Sequence, residues 1–158
     1  MAFHPEGVGK GHTPAGNRTA KHQRVMAGTT HSALVFDGDT CLGWCQFGSP
    51  AELPRIKSKR SYEASLVSLP DWRITCFFVA NEQRRRGVAA AALAGALEQI
   101  AELGGGLVEG YPEDVEGRKA AGSFLWSGTT GMFENAGFEK SRQIAKHRWV
   151  MSREVTGA

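Results

Sequence analysis

The stretch that most constrains this chain runs from Asp71 to Leu103, where a buried strand passes through a turn into a long helix. Asp71–Ala80 (DWRITCFFVA) carries the strongest strand signal. Strict alternation sends Trp72, Ile74, Cys76 and Phe78 to one face and Arg73, Thr75, Phe77 and Val79 to the other. Both faces become apolar towards the end, which marks a central strand covered on both sides. Arg86–Leu103 follows as the strongest helix. Leu93, Leu97 and Ile100, with Ala89 and Ala96, form its buried stripe, and Gly104-Gly105-Gly106 ends it. Leu107–Tyr111 is then a short strand stopped by Pro112. Strand, helix, strand makes a right-handed crossover between parallel neighbours.

The flanking segments hang on this unit. Residues 1–16 hold four Gly and two Pro and read as a flexible leader; residues 17–158 read as one domain. Asn17 caps a short helix to Ala27. His31–Phe36 and Thr40–Phe47, joined by Asp37-Gly38-Asp39, read as a hairpin. Gly48–Pro70 has weak periodicity, with Arg55, Lys57, Lys59 and Arg60 as a basic patch. After a polar loop, Gly128–Ala136 reads as a helix closed by Gly137 and Phe138, and Ile144–Met151 as a final strand.

Composition narrows the function classes. A chain of 158 residues suits one domain, and 41% hydrophobic residues supply a core for it. Glu98 and Glu102 interrupt the longest apolar run, so no membrane span is expected. No secretory pattern is visible at the start of the sequence. The net charge of +3 favours an anionic ligand and falls far short of a nucleic-acid footprint. Cys41, Cys45 and Cys76 lack disulfide-scaffold spacing and read as free thiols in a reducing cytoplasm, with Cys41 and Cys45 on one face. The five His are scattered, and no metal site is expected.

Chemistry concentrates between Val79 and Ala89. The first N–H groups of a helix lack internal partners and lie at a positive dipole end, which suits an anion. Gly87 removes the Cβ that would block a bulky ligand, and Arg84, Arg85 and Arg86 add positive charge. The same residues are also compatible with a solvated surface turn, or with a nucleic-acid patch lacking an aromatic platform. Neither a Gly-Lys-Ser/Thr ending nor a G-x-G-x-x-G is present.

The pattern Arg84-x-x-Gly87-x-Ala89 after a buried strand resembles motif A of the GNAT N-acetyltransferase superfamily. The segment Gly131–Phe138 (GMFENAGF) is similar to that family's "lYeklGF" helix end. Gly43-Trp44-Cys45, Cys76–Val79 and Glu109–Pro112 are similar to a subgroup of mostly uncharacterised members. The resemblance covers about residues 31–153. It implies a mixed α/β (α+β) fold with a central splayed sheet flanked by helices. It further implies acetyl transfer from acetyl-coenzyme A to a primary amine, without a metal. Main-chain groups of Phe77, Phe78 and Val79 would pair with the pantetheine arm. N–H groups of Arg84, Arg85, Arg86, Gly87, Val88 and Ala89 would hold the pyrophosphate, with Phe133 beside the coenzyme.

Two departures bear on catalysis. Phe133 stands where the family often has the Tyr that acts as general acid; Tyr111, Ser127, Thr129, Thr130 or water are the substitutes. Glu109, on the second splayed strand, is the candidate base, beside a purely structural role for that carboxylate. The family's first strand is absent, which leaves His31–Phe36 as an edge for the leader or a second subunit, as in a homodimer, to cover. A coenzyme-binding module without turnover is the alternative to an enzyme.

Overall fold

The computed structural model describes all residues other than 10 and 121, together with the backbone alone of 123 and 124. Six strands form one sheet in the order β1-β2-β3-β4-β6-β5. They are β1 (His31–Asp37), β2 (Thr40–Gly48), β3 (Trp72–Val79), β4 (Gly105–Gly110), β5 (Glu139–Ala145) and β6 (Arg148–Thr156). The helices are α1 (Pro14–Met26), α2 (Lys59–Ala64), α3 (Val88–Glu102) and α4 (Thr130–Asn135). Only β3 and β4 are parallel, joined by α3 as the crossover; the other neighbours are antiparallel. Among the described residues no strand precedes β1, in keeping with the absent first strand.

One face of the sheet is sealed by α3 and α4. Ala92, Leu93, Ala96 and Ile100 of α3 pack with Ala33, Cys45, Phe47, Ile74 and Phe77, and Phe133 of α4 joins them. The opposite face has a smaller core, in which Tyr62 of α2 meets Tyr111, Ile144 and Val150.

Two bulges decide which side chains reach which face. Register slips by one residue between Gln46 and Phe47 opposite Cys76 and Ile74, so Thr75 is the extra residue. A one-residue slip flips everything beyond it. Trp72, Ile74, Phe77 and Val79 therefore face α3, while Arg73, Cys76 and Phe78 face the other way, correcting the alternation read from the sequence. A second slip, at Val35 and Phe36, pairs Cys41 with Phe36 and Cys45 with Ala33. The two cysteines lie on opposite faces, Cys41 exposed and Cys45 buried.

Other boundaries move for local reasons. Helix α1 begins at Pro14 rather than Asn17, because Thr13 caps it by accepting from the Gly16 N–H. Thr129 caps α4 in the same manner. The single final strand read over Ile144–Met151 is in fact a hairpin, turning at Lys146-His147, where the Gln143 amide donates to the Lys146 carbonyl. Strand β5 exposes charged side chains at the sheet edge and so lacks the apolar alternation that would have announced it. No helix among the described residues is long and apolar enough to cross a membrane.

The segment before α1 packs onto the face opposite α3. Phe3 and His4 are buried, and Phe3 lies 5.1 Å from Trp126. His4 Nδ1 lies 3.2 Å from the Glu52 carbonyl, and Gln46 donates its amide to Nε2 at 2.9 Å. Burial, then the Lys21 cation, push the His4 pKa down to about 4 from 6.5. The unfolded chain takes up this proton below pH 6.5, and the folded chain only near pH 4. The stability contributed by neutral His4 is therefore full above pH 6.5 and lost as pH falls towards 4. Urea midpoints measured between pH 7.5 and 4 should fall through that window. His4→Gln should lower the midpoint at pH 7.5 and flatten the fall.

Candidate functional site

The sheet opens between its two parallel strands. Pairing of β3 with β4 covers Trp72 with Val108, Arg73 with Glu109 and Ile74 with Gly110, and stops there. Beyond Ile74, β3 continues to Val79 paired with β2 alone, while the other chain turns away at Tyr111-Pro112. The fork is held at its base by Phe133, which is fully buried. Its ring meets Phe77 edge-on at 6.1 Å and Phe138 at 4.9 Å. It also lies hard against Gly110: a Cβ there would stand 2.1 Å from Phe133 Cε1. Gly110→Ala should therefore destabilise the fold by about 2 kcal/mol, as an overpacked core does, measured by urea denaturation.

Helix α3 starts at the open end of the fork. Its N-cap, Gly87, has φ of 80°, a left-handed conformation that strains any L side chain. No side chain caps the helix, and a Cβ on Gly87 would meet nothing within 4 Å. Uncapped N–H groups thus face open space. Arg84, Arg85 and Arg86 are exposed, and Arg85 also has a positive φ of 63°. Val88 is buried against the sheet, which fixes the helix start, while Ala89 is half-buried. This region suits a diphosphate by charge, by free donors and by space.

Glu109 lies on the face opposite α3, and its surroundings are crowded. Its Oε2 accepts from the Tyr62 hydroxyl at 2.8 Å and the Tyr111 hydroxyl at 3.1 Å. Its Oε1 lies 3.6 Å from Arg142 Nη1. Arg73, its partner across the strands, and Arg142 lie over the Tyr62 ring at 5.5 and 4.8 Å. Burial raises the pKa of both tyrosines, that of Tyr111 far above its ordinary value; for Tyr62 the hydrogen bond to Glu109 adds to it. Glu109 and Tyr111 are brought together as partners of each other. This geometry favours a positioning role for the carboxylate over direct proton abstraction.

The remaining hydroxyls differ in availability. Thr129 is spent on its helix cap, and Thr130 is buried with its N–H on the Glu113 carbonyl. Ser127 is buried, and among the described residues its Oγ has no hydrogen-bond partner. It precedes Gly128, where a Cβ would stand 3.2 Å from the Phe77 ring. Phe78 is half exposed on the face away from α3, stacked on Trp44 at 5.9 Å. No cluster of three His, Cys, Asp or Glu residues that could hold a metal occurs among the described residues.

Sequence reasoning missed Tyr62, Arg73 and Arg142 as neighbours of Glu109. Tyr62 and Glu109 are 47 positions apart, so no local pattern joins them. The one available signal was Arg73, a charge set inside an otherwise apolar strand.

No family model and no curated protein matches this chain. Solved structures do. A protein assigned to the GNAT acetyltransferase family from Desulfovibrio desulfuricans superposes with a TM-score of 0.57 at 17% identity, over 93% of this chain and 86% of that one. Ribosomal-protein-alanine N-acetyltransferase from Brucella melitensis gives 0.56 at 14% identity, over 89% and 77%. An N-acetyltransferase from Staphylococcus aureus gives 0.53 at 11% identity, over 93% and 79%. Likeness at such identities speaks for architecture, and it agrees with the splayed sheet and the crossover helix described above: the chain has the fold of the GNAT acetyltransferases.

Proposed function

We propose that this protein is an acetyl-coenzyme A-dependent N-acetyltransferase acting on a primary amine. The observation that carries the reading is the fork between β3 and β4, with the uncapped start of α3 at its open end, inside this fold. Main-chain groups of Phe77, Phe78 and Val79 have no strand partner on the fork side and would bind the pantetheine arm as an added strand. N–H groups from Arg84 to Ala89 would hold the pyrophosphate, with the three arginines adding charge.

When bound, the coenzyme supplies an activated acyl group and a thiolate leaving group. The chain supplies the rest. An N–H of β3 near Phe77 polarises the carbonyl. Phe133 excludes water from the base of the fork and has no proton to give. Ser127, with a buried and unpartnered hydroxyl, is our donor to the leaving thiolate. Glu109 fixes two tyrosine hydroxyls through its Oε2, so Tyr62 and Tyr111 are the groups that would relay a proton to that oxygen. We assign the protein to a reducing cytoplasm, in keeping with three unpaired cysteines.

Acetyl-coenzyme A at 100 times its Kd should raise the thermal midpoint in step with about 2.7 kcal/mol of added stability. Gly87→Glu should abolish that rise by adding bulk and negative charge, while leaving the protein folded. The absence of any rise in wild type would remove the reading. Phe133 also favours a second reading, a coenzyme-binding module without turnover. A thiol-release assay over an amine panel decides between them.

The same proposal extends to a homodimer. Strand β1 is the edge of the sheet, and its Leu34 and Phe36 are exposed at 54% and 55%. Long apolar edges are otherwise liabilities. Phe36→Lys should convert a dimer to a monomer by light scattering; a wild-type monomer at 100 μM would count against the pairing.

A further inference from the structure

On the face opposite α3, the N-terminal segment and α1 set an amine against a base. Lys21 of α1 is half-buried. Its Nζ lies 2.6 Å from Thr30 Oγ1 and 3.3 Å from His4 Nε2. An ammonium only donates, and the Gln46 amide donates to the same ring nitrogen at 2.9 Å. Nε2 is therefore the acceptor, and Nδ1 carries the hydrogen towards the Glu52 carbonyl. Burial holds the His4 ring neutral in that tautomer. Burial, then the Arg24 cation, lower the Lys21 pKa and enlarge its share of free amine. Both contacts of Lys21 are uncharged acceptors rather than a carboxylate. Amine, neutral base and an orienting carbonyl stand in the order that activates a nucleophile.

The same hydrogen bonds lead to the fork. Gln46 accepts from the Thr75 hydroxyl at 3.4 Å, and Thr75 follows Ile74, the last residue of β3 paired with β4. At Cys76, the next residue, burial pushes the thiol pKa up to about 11, and the Met1 ammonium and the Lys21 cation pull against it. Because α3 and α4 seal the other face, an amine reaches the fork from this one. Helix α1 has no buried residue, so it can let Lys21 leave Thr30 and turn towards Thr75. We infer that Lys21 is a self-acetylation site, its Nζ taking the acetyl group from coenzyme bound in the fork of the same chain. This rests on the acetyltransferase reading. The Nζ lone pair attacks the thioester carbon; a C–N bond forms and the C–S bond breaks. His4 Nε2 takes the proton that the nitrogen sheds and releases it to water, while Ser127 protonates the leaving thiolate and is reprotonated by water. The products are an amide at Lys21 and free coenzyme A.

The test incubates the full chain with acetyl-coenzyme A and no added amine, and locates acetyl groups by peptide mass spectrometry. Lys21 should gain one acetyl group at a first-order rate that tenfold dilution of the protein leaves unchanged. Lys21→Arg should lose that label and keep the thermal shift from acetyl-coenzyme A. His4→Gln, which retains a hydrogen-bond acceptor but no base, should slow the labelling at least tenfold with the thermal shift retained. Gly87→Glu should lose label and shift together. A wild type that shows the shift and releases thiol with added amines, yet leaves Lys21 bare, overturns the inference and leaves the transferase reading standing. Labelling of Lys21 in Gly87→Glu at the wild-type rate is acetylation from solution and overturns it too, as does label confined to the Met1 amino group. A wild type with neither thermal shift nor label removes both readings.

Discussion

The contact on which the rest depends is the ring of Phe133 against the bare backbone of Gly110. A parallel pair of strands would ordinarily continue its ladder, since every unmade backbone hydrogen bond has to be satisfied elsewhere. Here the ladder stops after Ile74 and Gly110, and the ring sits at the point of parting. The wedge needs a glycine beneath it and aromatic walls around it, which Phe77 and Phe138 provide. What remains above the wedge is a strand edge with free main-chain groups. That edge is joined to the uncapped N-terminus of α3 by a short connection from Ala80 to Gly87.

The two faces of the sheet then divide the work. The α3 face is a dry core that holds the fork rigid. The other face carries buried polarity: Glu109 with its tyrosines and arginines, and His4 with Gln46 and Glu52. A buried ion pair such as Glu109 with Arg142 rarely adds stability on balance, because desolvation offsets the pairing, whereas His4 is held neutral.

The α3 side was legible in the sequence because its signals are local. A strand, a glycine at the helix start and an alanine-rich stripe lie within about thirty consecutive residues, and the helix end at Ala136-Gly137-Phe138 follows in order. The polar side was not legible. Tyr62, Arg73, Glu109 and Arg142 come from four elements, and only packing brings them together. The bulge at Thr75 is a further reason: one extra residue reverses the face of Cys76 and Phe78, and alternation cannot reveal it.

By itself, the sequence determined the crossover unit, the place of the arginine-rich turn that opens α3 and the lack of a tyrosine at Phe133. These follow from periodicity, from glycine's freedom and from side-chain identity, all of which are properties of neighbouring residues. Tertiary structure alone decided where the parallel ladder ends, which face each residue of β3 serves and what surrounds Glu109. Those depend on contacts between residues far apart in the chain, where geometry rather than spacing sets the chemistry.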